Sequence, residues 1–114
     1  MILSKGEKIF VVTRQSYERD LRRHFIGEIL EVSAVAIKVH GYVFVFDETN
    51  NDFKRYEKLR TCIFSLIDAG IVVTVLPEES ILEEIRYTFD DENRRILTDG
   101  KSFKLNVSEF GRNR

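Results

Sequence analysis

Apolar side chains recur along this chain with the two-residue period of β-strands. The clearest example is residues 101–107, where Phe103, Leu105 and Val107 alternate with polar side chains. Turn-forming residues separate such stretches throughout the sequence, which predicts a mainly β fold. The predicted strands span residues 8–14, 25–32, 35–47, 53–58, 60–67, 71–76, 87–89, 95–98 and 101–107.

The third predicted strand, residues 35–47, carries a glycine at its middle, Gly41. A glycine inside a strand usually marks a bulge or a sharp bend. Residues 42–46 after it are apolar at every position, as are residues 71–76 with the exception of Thr74. We therefore expect a bend at Gly41 and a second half of the strand that is covered on both faces.

The single proline, Pro77, separates the first six strands from a different kind of segment. Ser80 with a glutamate three residues on is a capping box, which predicts a short helix over residues 77–86. Asp99-Gly100 is the signature of a type I′ turn and predicts a C-terminal β-hairpin within residues 87–110.

Composition supports a β fold of modest size. The chain has 114 residues, of which 43% are hydrophobic, enough for one core, so we expect a single domain over residues 1–114. Ile and Val together contribute 22 residues and Ala only 3, and β-branched residues such as Ile and Val favour strands. No apolar run approaches the roughly 20 residues that span a bilayer, and the N-terminus lacks a signal-peptide core. These features predict a cytoplasmic protein without a membrane partner.

The residue types that carry catalysis are sparse. One cysteine, Cys62, allows neither an internal disulfide nor a cysteine-based zinc site. His24 and His40 stand 16 positions apart, without metal-ligand spacing or a nearby nucleophile. The acidic stretches 47–52 and 90–93 lack the glycine and glutamate of a calcium loop. We expect a non-enzymatic protein without a cofactor, a metal or a small-molecule substrate.

The order of strands over residues 8–76 resembles that of small bent barrels of the Sm-like and SH3-like kind. The second and third strands are long and closely joined, the third bends at its glycine, and Gly27-Glu28-Ile29 lies where Sm-like proteins carry a glycine-containing motif. The Arg-Gly of the second Sm motif is absent, since residues 65–70 offer only the glycine. The resemblance implies a five-strand bent barrel over residues 8–76, in which residues 53–58 are an additional return strand, and RNA binding as one function. The short helix and the C-terminal hairpin that the residue pattern predicts follow this barrel.

Two segments combine basic and aromatic residues, a mixture that can bind phosphates and stack on bases. The net charge of −1 creates no strong overall field toward nucleic acid. The candidate nucleic-acid residues are Arg14, Tyr17, Arg19, Arg22, Arg23, His24, Lys54, Arg55, Tyr56 and Lys58.

Apolar residues on both faces of two strands favour a different function, protein association. A small barrel has one interior, so a second apolar face needs a cover, which a second copy of the chain could supply. The helix over residues 77–86 is the alternative cover for the strand at 71–76. The candidate interface residues are Tyr42, Phe44, Phe46, Ile71, Val73 and Val75. We expect a protein–protein or self-association module, with a second copy of the chain as the partner in a dimer or a higher oligomer, and RNA binding as the alternative.

Overall fold

A computed structural model of the chain describes residues 2–13, 23–47, 49–67 and 70–107. These residues form two antiparallel sheets, which confirms the mainly β fold. The nine strands are β1 Lys8–Thr13, β2 Arg23–Val32, β3 Ala36–Asp47, β4 Asp52–Arg55, β5 Arg60–Ser65, β6 Ile71–Val75, β7 Arg86–Phe89, β8 Arg95–Thr98 and β9 Lys104–Asn106. The predicted fourth and last strands, 53–58 and 101–107, are shorter than expected because loops occupy part of each range.

The chain divides into two compact units, residues 1–76 and 77–114, with the boundary at Pro77. The first unit holds a six-strand sheet in the order β4-β3-β2-β1-β6, with β5 paired to β3 beside β4. The predicted closed barrel is wrong, because the sheet does not close on itself. Closure would join β5 to β6, yet in the part of the chain that the structure describes these strands pair with β3 and β1 respectively.

Strands β2 and β3 approach each other closely at Gly41, and the bend expected at this residue stays a prediction. Gly41 lies directly opposite Gly27 of β2. The other edge of β3 changes partner at the same place: β5 pairs with Ala36–Gly41, and β4 pairs with Phe44–Asp47. A side chain at Gly41 would overlap the carbonyl oxygen of Ile26, so the two backbones approach more closely than any other residue would allow.

The sheet of the first unit is buried on both faces along its central strands. One face carries the main core, which is formed by Ile9, Val11, Phe25, Ile29, Ile37, Val39, Val43 and Val45. On the alternate positions Phe10, Ile26 and Phe44 are also buried. The prediction that residues 42–46 are covered on both faces is therefore confirmed for Tyr42 to Val45.

The predicted helix over residues 77–86 is not formed. A single 3-10 turn, Leu82–Glu84, takes its place, and its flanking residues Ile81 and Ile85 have extended backbone angles. No side chain caps the turn, so the capping box centred on Ser80 is also wrong. Three residues in helical geometry are too few to propagate a helix, and the extended Ile85 leads directly into β7.

The second unit contains a three-strand sheet in the order β7-β8-β9. Thr98 of β8 pairs with Lys104 of β9, so a five-residue loop joins these two strands. The predicted type I′ turn at Asp99-Gly100 is wrong, because that turn needs positive φ at both residues and only Gly100 has it, at 87°. The buried carboxylate of Asp99 organises the loop instead.

Candidate functional site

The edge strand β6 is the first candidate for a functional surface. Its sequence, Ile-Val-Val-Thr-Val, contains no charge, and within the described residues it pairs only with β1. Val72 is 47% exposed and Val75 is 50% exposed. Natural sheets protect such edges with charged residues, prolines or bulges, and none of these devices lies inside β6.

The opposite end of the open sheet is also apolar. Strand β5 pairs with β3 along one edge, and Ile63 on this strand is largely exposed. Ile67 in the turn that follows is more exposed still, at 78%. The first unit therefore presents apolar side chains at both strands that a closed barrel would join.

The structure separates the predicted interface residues into two groups. Tyr42 and Phe44 are buried within the chain, and Phe46 is half-buried, with its ring 5.3 Å from that of Phe53. Tyr42 and Phe44 are consequently unavailable to a partner, which corrects their assignment as interface residues, and Phe46 is available only in part. Ile71 and Val73 are half-buried against the main core, and Val75 is exposed.

Sequence reasoning missed Val72, the β6 residue whose side chain is exposed on the face away from the main core. Val72 lies opposite Val12, while its neighbour Val73 lies opposite the core residue Val11. The apolar character of all of residues 71–76 concealed this difference, since alternation with polar residues is what normally marks the outward face.

Four of the predicted nucleic-acid residues, Arg14, Tyr17, Arg19 and Arg22, lie outside the described residues. His24 is only 2% exposed, so it does not present its ring to a phosphate. Its imidazole stacks on Phe53, with centroids 4.3 Å apart, and meets the ring of Phe10 edge-on at 5.4 Å. His24 is therefore part of an aromatic cluster inside the first unit.

The remaining predicted nucleic-acid residues differ in their surroundings. The Arg55 guanidinium lies over the Tyr42 ring and forms an ion pair with Glu57, at 3.2 Å. Arg23, Lys54, Tyr56 and Lys58 are exposed. Arg23 and Lys54 both lie opposite Val45 in the sheet and so project from the same face.

A groove of about 150 Å³ opens on the core-facing side of the sheet. Its apolar wall comes from β1, β2, β3 and β5, and two arginines, Arg23 and Arg60, stand at its rim. The lining residues are Val11, Thr13, Arg23, His24, Phe25, Val43, Arg60, Cys62 and Phe64. The groove combines an apolar surface with positive charge, and no local pattern in the sequence indicates this combination.

Among the described residues, no three His, Cys, Asp or Glu side chains gather into a potential metal site. The Nδ1 atom of His40 lies 2.9 Å from the hydroxyl of Thr61, a pairing between neighbouring strands. Across the same part of the chain, no helix has the length and apolar character needed to cross a membrane.

Comparison with protein-family models, with curated protein sequences and with solved structures gave no significant match. The resemblance to Sm-like proteins therefore stays a prediction.

Proposed function

We propose that this chain is a protein-association module that forms a homodimer through antiparallel pairing of β6 with β6 of a second copy. The observation that carries the proposal is the uncharged and partly exposed outer edge of β6. An unpaired apolar edge offers backbone donors and acceptors to any strand that fits, and a native protein gains by covering it. The alternative cover predicted from the sequence, a helix over residues 77–86, does not exist.

The sequence of β6 suits pairing with itself. Symmetric pairing about a two-fold axis at Val73 places Val72 opposite Thr74 of the partner subunit, and Ile71 opposite the partner's Val75. No like charges meet in this register, because the strand has none. Val72 and Thr74 share one face of the sheet, since they lie opposite Val12 and Phe10 of β1.

We expect the wild-type chain to have twice the 13.4 kDa mass of one chain at high micromolar concentration. Val72→Lys should convert it to a folded monomer, because the pairing would place a lysine at the centre of an apolar interface. Light scattering coupled to size exclusion measures the mass, and circular dichroism confirms the fold. Val35→Lys is the matched control, since Val35 is 53% exposed and lies outside any strand.

A charge-exchange series tests the register itself. The double variant Val72→Lys with Thr74→Lys places lysines opposite each other across the two-fold axis and should remain monomeric. Val72→Lys with Thr74→Glu places each lysine opposite a glutamate and should restore the dimer.

A wild-type monomer at high micromolar concentration would contradict the proposal. Failure of the lysine–glutamate variant to dimerise would contradict the symmetric register. A mass above that of two chains would instead indicate head-to-tail contact between the β5 edge and the β6 edge, which also overturns the symmetric dimer.

RNA binding is the second candidate function, favoured by the exposed cations Arg23 and Lys54 on one face of the sheet. Cations on one face of a sheet can together bind the phosphates of one nucleic-acid strand. If they do, Arg23→Ala with Lys54→Ala should weaken binding of mixed RNA and reduce the slope of affinity against salt by about two. Electrophoretic shifts at several salt concentrations measure both. Equal affinity and an equal slope in the variant would show that these cations are solvated surface.

A further inference from the structure

The wall of the groove is mostly apolar. Val11, Phe25, Val43 and Phe64 contribute side chains from four strands, and the rings of Phe25 and Phe64 lie 5.4 Å apart. Three of these residues, Val11, Phe25 and Val43, belong to the main core. A ligand in the groove would therefore contact apolar side chains that pack into the core.

The size of the groove limits its occupant. Its volume of about 150 Å³ matches that of an apolar cavity large enough for one benzene-sized molecule. We therefore take one aromatic ring as the apolar part of the occupant.

Two guanidinium groups give the groove its charge preference. Arg23 and Arg60 line the rim and are exposed. Among the described residues, neither has a carboxylate within ion-pair distance. The Arg60 guanidinium lies over the Tyr56 ring, 5.4 Å from its centroid, a contact that leaves the edge of the guanidinium free to donate hydrogen bonds. Guanidinium groups bind planar oxyanions through paired, charge-assisted hydrogen bonds.

We propose that this groove binds a small organic anion that has one apolar ring and one carboxylate or phosphate group. The ring lies against Phe25, Val43 and Phe64, and the oxyanion receives hydrogen bonds from Arg23 and Arg60. The site uses β1, β2, β3 and β5 and does not involve the outer edge of β6, so it is independent of the proposed dimer.

Cys62 provides a built-in reporter, since it lines the groove and is the single cysteine of the chain. A bound ring should shield its thiol from iodoacetamide, a small neutral reagent. We expect benzoate to slow the alkylation of the full-length protein, with half-protection on the order of 1 mM, an affinity typical of so small a ligand. Benzyl alcohol and benzylammonium, which share the ring, should protect at least tenfold less well because they lack the negative charge.

Three variants test whether Arg23 and Arg60 bind the negative charge of the ligand. Arg60→Gln and Arg23→Gln should each raise the half-protecting concentration of benzoate about tenfold, the effect of losing a charge-assisted hydrogen bond. Arg60→Lys should recover only part of the affinity, because lysine cannot form the paired contact. Arg86→Gln is the matched control, an exposed arginine of the second unit, and should leave protection unchanged.

A comparison of phenyl phosphate with benzoate shows whether the two arginines prefer a phosphate or a carboxylate. Calorimetric titration of Cys62→Ser with benzoate detects binding without the thiol reaction. Equal protection by benzyl alcohol and benzoate would overturn the proposal. So would protection that is insensitive to both arginine variants, or the absence of any protection and any binding heat at 20-fold the expected half-protecting concentration.

Discussion

Gly41→Val is expected to unfold the first unit, and Gly41→Ala to lower its free energy of unfolding by at least about 3 kcal/mol. A Cβ atom at this position would overlap the carbonyl oxygen of Ile26 and lie 2.5 Å from the Cα of Gly27. Both obstacles are backbone atoms of the neighbouring strand, so no rotation of a side chain can relieve the overlap. Relief requires β2 and β3 to move apart, which breaks the ladder at the centre of the sheet.

Gly27 is expected to be similarly intolerant. A Cβ atom there would lie 2.6 Å from the carbonyl oxygen of His40 and 2.7 Å from a methyl group of Val39. Combining Gly27→Ala with Gly41→Ala should not restore stability, because each Cβ meets the backbone of the opposite strand and neither clash removes the other.

Urea denaturation followed by far-ultraviolet circular dichroism measures these effects. Ala36→Val is the matched control, since it places the same valine in β3 at a half-buried position that already has a Cβ. We expect this control to change stability by less than about 1 kcal/mol. A Gly41→Ala variant within about 0.5 kcal/mol of wild type would contradict the close approach of the two backbones.

Asp99→Ala is expected to destabilise the second unit by about 3 kcal/mol. Asp99 is only 3% exposed, and its carboxylate accepts hydrogen bonds from the backbone N–H groups of Ile81, Lys101 and Ser102. Removing it leaves three donors without their acceptor and frees the loop between β8 and β9. Asp99→Asn should cost less, because an amide oxygen can still accept some of these bonds.

The same carboxylate predicts an acid dependence of stability. Burial alone would raise the pKa of Asp99, but the N–H groups of Lys101, Ile81 and Ser102 outweigh it and hold the pKa well below its usual range. The folded pKa thus lies below the unfolded value of about 3.9, so the contribution of Asp99 is complete above roughly pH 5 and is lost as the pH falls toward the folded pKa. In Asp99→Ala, the free energy of unfolding should therefore decrease less steeply as the pH falls below about 5.

Hydrogen exchange of the β7–β9 amides in the full-length chain reports the stability of the second unit directly. Asp91→Ala is the matched control, an exposed aspartate in the turn between β7 and β8, and should leave the exchange rates and their pH dependence near those of wild type. The stability of the second unit should keep part of its acid dependence in every variant because of Asp90. The Arg94 backbone N–H, together with the Arg94 side chain, lowers the pKa of the Asp90 carboxyl. Unchanged exchange in Asp99→Ala would show that the carboxylate does not hold the loop.

The sequence by itself determined the β class, the approximate place of every strand and the end of the sixth strand just before Pro77. Each of these follows from local properties. β-branched residues favour strands, and proline interrupts a ladder. The burial of residues 42–45 on both faces of the strand was also predictable, because an uninterrupted apolar run has no polar side chains for a solvent-exposed face.

The tertiary structure decided what depends on strands that are distant in the sequence. No local signal shows whether β5 and β6 meet, so an open sheet and a closed barrel have the same pattern of apolar residues. His24 stands in a basic segment yet is enclosed by Phe10 and Phe53, which come from other strands.

The candidate groove depends on the same long-range contacts. Arg23 and Arg60 are 37 positions apart in the sequence and share one rim because β2 and β5 both pair with β3. Val72 and Val73 are equally apolar, and only the pairing of β6 with β1 turns one toward the core and exposes the other. Local chemistry thus determined the strands, whereas the surfaces available to a partner or a ligand were decided by which strand edges remained unpaired.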